Sequence, residues 1–374
     1  MTSIVIFIAG AALLIYSAEK LIGQLVGAAS GLNISIFLLA VIFTGIEFDD
    51  VFFGVALNVE DLGDVALGVV YGTAISMTGI VLALAAILTP TKINIPRDYI
   101  IIFALAPLVM IPLTLMAPLT AVDGVLLIGL FVLFVAYIAV RESRGRTPVF
   151  RDAEMYEAYA AARESPAGAG PRDMRKSARK NTLTFVRKAE WRSRRALPDP
   201  GTAGQFSAAV PLAAARARSG WTALGLAVLA LAGLVAGAGI MGEGTGGIVH
   251  DYGLEGTFFG ATIATIALTV EDIFLTVEPA RNGAPEIGVG NVIGSVVFSI
   301  SGKLGIVLLA GGLVVGPHVL TWHLPALIVM TGCAAYFLST GQLRRWHGFV
   351  LLGLYIVYWC VSFVVFGFVP ADTS

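Results

Sequence analysis

Apolar runs of about 20 residues, separated by short polar breaks, recur along the whole chain, and each is long enough to cross the hydrocarbon core as a helix. They predict ten spans, roughly 3–22, 33–58, 64–90, 98–117, 121–140, 220–241, 256–278, 286–314, 320–340 and 347–369. The strict alternation of a membrane β-barrel is absent. Two of the runs are broken by acids. "VIFTGIEFDDVFFGVAL", residues 41–57, carries Glu47, Asp49 and Asp50, and "TIALTVEDIFLTV", residues 265–277, carries Glu271 and Asp272. A carboxylate at the centre of a spanning helix costs roughly 2.5 to 3.5 kcal/mol on insertion scales, so five acids without compensation would cost on the order of 15 kcal/mol. Such residues need a partner or a purpose.

Composition agrees with the pattern. Of 374 residues, 57% are hydrophobic and 13% charged, with mean hydropathy +0.86, whereas a soluble domain carries about 25% charged residues. The opening "MTSIVIFIAGAALLIYSAEK" has no basic n-region and no clear cleavage site, so it is expected to be a retained helix rather than a signal peptide. Cys333 and Cys360 fall inside predicted spans and read as small buried apolar residues, not as a disulfide or metal framework.

The basic residues are concentrated. Seventeen of the 24 Lys and Arg lie between Arg141 and Arg218, which places that connection in the cytoplasm. The chain then divides into a first five-helix unit (1–140), a basic cytoplasmic loop (141–219) and a second five-helix unit (220–374), with both termini outside. On that orientation the outer connections keep only acids, Glu60, Asp61, Asp64, Asp123, Glu243, Asp251 and Glu255. These are ordinary solvated loop acids, or else a field that draws cations in. The loop contains "RKSARKNTLTFVRKAEWRSRR", which suits anionic headgroups, and its Gly and Pro breaks suit a linker more than a folded domain.

The two acidic runs belong to an internal repeat. At a constant offset of 222 the chain matches itself without a gap, with nine of 43 positions from Gly31 to Thr73 identical, among them Asp50 with Asp272, Gly68 with Gly290 and Gly72 with Gly294. Five helices is an odd number, so the second unit must enter the membrane with the opposite orientation. The basic-residue distribution independently requires the same. The expected fold class is therefore all-α, a polytopic membrane protein of about ten transmembrane helices in two inverted five-helix repeats. Repeats of that kind place a substrate site at their interface near the bilayer midplane and rock around it.

Within the site, Glu47 and Asp50 are three residues apart and are expected to share a helix face, while Asp49 points about 100° away. Asp50 and Asp272, brought together about the pseudo-twofold axis, would supply two hard oxygen donors for a metal cation. A calcium ion needs six to eight oxygens, and Thr44, Thr73, Thr269, Ser295 and Ser299 are candidate neutral ligands beside the acids. The bland alternative is a set of hydrogen bonds between protonated carboxyls. Lys303, in "SISGKLG", is the only basic residue predicted deep in the membrane. Two readings stand side by side: a permanent ion-pair or snorkelling residue that lets the acids fold without metal, or a titrating group that takes a cation's place. His318, His323 and His347 lie near span ends, where surface positions are expected.

With "GNVIGS" following an acidic helix, and with "GIEFDD" then "GDVALGVVYGTAIS" in one half and "ALTVED" then "PEIGVGNVIGSVVFSIS" in the other, the chain resembles the cation/calcium exchanger superfamily, the sodium/calcium exchangers and their proton/calcium relatives. The resemblance implies ten helices in inverted repeats and alternating-access exchange of calcium against sodium or protons. It carries the family's two site glutamates over to Asp50 and Asp272. It departs at the preceding proline, here Asp49 and Glu271, and at the serine before it, here Glu47 and Thr269. The downstream polar ligands become Met77 and Ser299, and the motif asparagine survives as Asn291 but is Val69 in the first half. Lys303 has no counterpart. Sodium, potassium, magnesium or another divalent cation thus stays open beside calcium.

Other classes fit less well. Paired intramembrane aspartates also serve aspartyl proteases, but the GxGD-type segment is missing and a protease does not require a repeat around both acids. No enzymatic activity is expected. A degenerate exchanger acting as a membrane scaffold is a third reading. No cofactor is expected beyond the transported ions, bound Ca2+ and Na+ or H+. The expected partners are inorganic cations and membrane lipids, with no nucleic acid.

Overall fold

The computed structural model describes residues 2–31, 47–144, 220–281, 285–316 and 318–366. Most of the basic loop, most of the second predicted span and Thr44 lie outside them. The first half contains α1 (Thr2–Gly31), α2 (Phe48–Val59), α3 (Gly63–Ser76, a π turn Met77–Val81, then Leu82–Leu88), α4 (Arg97–Leu105, a 3-10 turn Ala106–Val109, then Met110–Leu115) and α5 (Ala121–Arg144). The second half contains α6 (Gly220–Tyr252), α7 (Gly256–Phe259, a π turn Gly260–Ala264, then Thr265–Arg281), α8 (Pro285–Phe298, a π turn Ser299–Lys303, then Leu304–Ala310), α9 (a π turn Val319–His323, then Leu324–Ser339) and α10 (Arg345–Val361 and a π turn Ser362–Phe366). Eight of these are long and apolar enough to cross a membrane: all except α1, whose shorter apolar stretch is Thr2–Ala18, and the brief α2.

The repeat is written in the helix boundaries. Every break in α3, from its first residue through its π turn to its last, recurs in α8 at the same 222-residue offset. The short pairings repeat as well. Thr91–Lys92, after α3, pairs antiparallel with Gln342–Leu343, between α9 and α10. Leu313, after α8, bridges Leu119, between α4 and α5. Each half thus closes on the other by the same device.

The opposite insertion of the halves can be read from α1 and α6. A Cβ on Gly10 would sit 2.3 Å from the Met241 nitrogen, one on Gly237 2.7 Å from the Leu14 nitrogen, and one on Gly244 2.4 Å from the Phe7 nitrogen. As the numbers rise in α1 they fall in α6, so these symmetry-equivalent helices run antiparallel. Small residues let the two backbones touch, which is how helices associate where water supplies no hydrophobic drive. The last helix of each half then packs against the other half: Gly348 of α10 meets Ala83 and Ile87 of α3, and Gly124 of α5 meets Gly305 and Leu308 of α8.

Core and periphery follow. In α3 nearly every residue from Val65 to Ala86 is buried, and α8 is alike, whereas α5, α6 and α10 expose Val125, Leu126, Leu133, Val228, Leu229, Ile356 and Val357. An apolar face of that extent belongs against lipid; the molecule is a multi-pass membrane protein. Backbone groups at helix ends are satisfied internally. Asn58 of α2 donates to the carbonyls of Val307 and Gly311 at 2.8 and 2.9 Å, capping the end of α8, and Glu255 accepts from the Phe258 amide at the start of α7.

Three expectations are corrected. His323 and His347 are buried, not at the surface: the His323 ring bonds the Tyr358 hydroxyl at 2.8 Å, and His347 stacks on Phe337. Cys360 is exposed rather than buried, and Cys333 is intermediate. Glu47 and Asp50 do not share a helix face, because α2 begins at Phe48 and Glu47 is its extended N-cap, with φ −79° and ψ 91°.

Candidate functional site

The acids are held where the first turn of α2 meets the middle of α7. Asp49 and Asp50 occupy that first turn, where the exposed amides of a helix N-terminus favour negative charge. Across the interface α7 runs without a break through Glu271 and Asp272. Asp272 lies within Coulombic reach of Glu47, Asp50 and Glu271, and Asp49 within reach of Asp50, Glu271 and Asp272. The five acids therefore converge from the two oppositely inserted halves.

They are not treated alike. Asp50 is 3% exposed, and its Oδ2 accepts from the Thr73 hydroxyl of α3 at 2.8 Å. The same oxygen accepts a hydrogen bond from Lys303 Nζ, reaching over from the π turn of α8. Lys303 also donates to Thr73 Oγ1 at 2.9 Å, and its ammonium stands 3.6 Å from Glu47 Oε2. The lysine side chain is fully buried. Asp272 has a softer shell: its Oδ1 accepts from Asn291 Nδ2 at 3.3 Å, and the same amide reaches Thr276 Oγ1 at 3.4 Å. Among the described residues no ammonium or guanidinium pairs with Asp272.

Each expected neutral ligand has a definite place. Thr73 bridges Asp50 and Lys303. Thr269 stands 2.8 Å from the Ser76 hydroxyl and so ties α7 to α3, while donating to the Thr265 carbonyl at 2.8 Å. Ser295 lies beside Glu47 but outside hydrogen-bond geometry, and both Glu47 carboxylate oxygens are buried without a hydrogen bond. Ser299 opens the π turn of α8, fully buried, and its hydroxyl makes no hydrogen bond. Buried polar atoms left in that state are uncommon and mark a place where a ligand or water fits. Among the described residues no three His, Cys, Asp or Glu side chains close on a common point that would hold a metal ion. A hard cation here would need hydroxyls, amide oxygens or water beside the carboxylates.

Sequence reasoning missed Ser76 and Thr276 as site residues, and read Asn291 only as a motif remnant. Thr276 was recoverable, since it follows Asp272 by four residues and must share its face. Ser76 follows Thr73 by three in the same way.

Comparison with known proteins gives a consistent picture. A family model described as sodium/calcium exchanger protein matches residues 2–140 and 222–364, leaving out the basic loop. The sodium/calcium exchanger MaX1 of Methanosarcina acetivorans is 32% identical over 139 residues, 37% of this chain and 40% of that protein. An uncharacterised membrane protein of Methanocaldococcus jannaschii is 25% identical over 139 residues, 35% of this chain and 42% of that one. The chain thus spans about two fifths of the length of the curated relatives it matches. Among solved structures, the sodium-calcium exchanger NCX_Mj soaked with 2.5 mM Na+ and 0.1 mM Ca2+ superposes with a TM-score of 0.53 at 18% identity, over 96% of this chain and 97% of that one. The same exchanger soaked with 2.5 mM Na+ and 10 mM Sr2+ gives 0.51 at 17% identity, over 95% and 97%. These likenesses establish the fold.

Proposed function

The chain belongs to the sodium/calcium exchanger protein family, and from that premise we propose that it is a secondary active cation antiporter, exchanging calcium or a related cation for sodium or protons by alternating access. The observation that carries the reading is the acid cluster itself. Among the described residues the buried or half-buried carboxyl groups of Glu47, Asp49, Asp50 and Asp272 gather about one ammonium, that of Lys303, so that these four, when ionised, hold more negative charge than that ammonium balances. A buried charge must be paired, coordinated or neutralised, and an inorganic cation or a proton does this reversibly.

The cation's ligands are drawn from Asp272, Asp49, Glu271 and Glu47, with Asn291, Thr269, Ser295 and Ser299 as neutral oxygens. The antiparallel halves then expose the site to one side of the membrane and the other in turn. The basic loop lies in the cytoplasm and the termini outside, so the acidic connections face the outer solution.

Reconstituted liposomes test this directly. Flux is measured for calcium, magnesium, manganese, sodium and potassium under imposed sodium and proton gradients. Calcium uptake driven by an opposing sodium or proton gradient, lost in Asp272→Asn, is the expected result. Another cation alone being carried would move the assignment to that ion. A folded protein that carries none of them would overturn the reading in favour of a membrane scaffold.

A further inference from the structure

The pseudo-twofold relation between the halves assigns each site residue a counterpart, and Lys303 is where that relation fails most sharply. Lys303 is the last residue of the π turn in α8; its counterpart, the last residue of the π turn in α3, is Val81. Both are completely buried. From the second half, Lys303 reaches into the first and places its ammonium on Asp50, Thr73 and Glu47. By the same symmetry Val81 occupies the place from which a side chain of the first half would reach toward Asp272, and it carries no charge. A symmetric site would offer two equivalent positions for positive charge, one over each aspartate. In this chain one position holds an ammonium that is covalently part of the protein.

We infer that Lys303 is a tethered cation that fills the Asp50 position permanently, so that the exchanged inorganic cation is confined to the Asp272 side of the cluster. Lys303 is thus a specificity-determining residue: it sets how many cations the site accepts and on which aspartate they sit. The inference rests on the reading of the acid cluster as a cation site. An ammonium on a four-carbon stem suits the task, being a compact point charge with three donors, and two of those donors are spent on Asp50 and Thr73. A sodium ion at the same place would meet the Asp50 carboxylate and the Thr73 hydroxyl as ligands. Nothing in this arrangement requires the lysine to move or to change its proton.

The experiment is equilibrium binding of radioactive sodium and calcium to the purified full chain in detergent, with monodisperse elution as the check of folding. Lys303→Val, which makes the two π turns alike, is expected to bind one more monovalent cation per chain than the wild type. Val81→Lys, which puts an ammonium over Asp272, is expected to lose the wild-type binding. Asp50→Asn/Lys303→Val, which removes acid and ammonium together, is expected to keep the wild-type number and serves where a single variant does not fold. A folded Lys303→Val that binds no more sodium than the wild type overturns the inference, as does loss of binding in the folded double variant. The parent reading fails separately: if the wild type binds nothing while Lys303→Val binds one cation, Lys303 still stands as the tethered cation at Asp50, and the Asp272 placement falls with the antiporter reading. If neither binds anything, both fall.

Discussion

Lys303→Val has a second consequence, in stability, whose size follows from the contacts. The valine has a precedent at the equivalent place, where Val81 is fully buried in the same kind of turn, so the substitution need not disturb packing by its shape. What it removes is the ammonium from a 3%-exposed carboxylate. Breaking a buried ion pair from one side costs about 3–5 kcal/mol, because the remaining charge is left unpaired. Removing Asp50's charge as well should return a large part of that cost: Asp50→Asn/Lys303→Val is expected to be more stable than Lys303→Val, with a coupling of about 2–3 kcal/mol in the double-mutant cycle. Sodium should separate the two further. If the vacated position binds it, sodium at a hundred times its dissociation constant adds about 2.7 kcal/mol to Lys303→Val beyond whatever it adds to the wild type, and no such excess to the double variant. The assay is denaturant unfolding in detergent, followed by tryptophan fluorescence, in choline and then in sodium buffer. Single and double variants unfolding together in choline, or a sodium shift of equal size in wild type and Lys303→Val, would refute the reasoning.

Three further outcomes are expected. Asp272→Asn abolishes cation-driven flux in liposomes while leaving the elution profile unchanged, because Asn291 can still pair with an amide oxygen at the same place; normal flux would remove Asp272 from the site. Asn58→Leu, which deletes the 2.8 and 2.9 Å bonds to Val307 and Gly311, lowers stability by about 1–3 kcal/mol from two lost hydrogen bonds, read as a reduced unfolding midpoint. Glu60, the C-cap of α2, has its carboxyl pushed above its ordinary 4.5 by burial and by Glu243. Its neutral form is therefore the one the fold prefers, and the stability it contributes at low pH is lost as pH rises from that ordinary value through the raised one. Glu60→Gln should flatten stability against pH over that window, and an unchanged slope would show that the pair does not matter.

The fold was legible because its determinants are local and repeated. Apolar runs set the helices, and the 222-residue offset that aligns Asp50 with Asp272 also aligns every boundary of α3 with α8. The depth of Lys303 was legible too, since no other Lys or Arg falls near the middle of an apolar run. Which acid it meets was not. That depends on α8 of one half crossing α2 of the other, and no spacing along the chain encodes the crossing. The shared face expected for Glu47 and Asp50 failed for a related reason: apolar residues continue on both sides of Glu47, so hydrophobicity gives no sign that α2 starts at Phe48. His323 and His347 were misplaced because proximity to a span end was taken to mean exposure, whereas α9 and α10 pack aromatic rings against both.

Glu47 and Lys303 are also related by more than proximity. Measured against the repeat, each is an odd member: Glu47 stands opposite Thr269, and Lys303 opposite Val81. The four remaining acids, Asp49 with Glu271 and Asp50 with Asp272, form a symmetric set. The two exceptions carry opposite charges and lie 3.6 Å apart across the interface between the halves. When both are ionised they add no net charge to the symmetric set, and the cluster's demand for positive charge is then the same with the pair as without it. What the pair changes is position. The ammonium occupies Asp50 Oδ2 and Thr73 Oγ1, while Glu47 adds a carboxylate whose oxygens accept no hydrogen bond. A cation drawn to this cluster therefore meets the same total charge as in a symmetric site, displaced from Asp50 toward Glu47 and the Asp272 side. On the proposed function, the asymmetry would relocate the ion without weakening the field that attracts it.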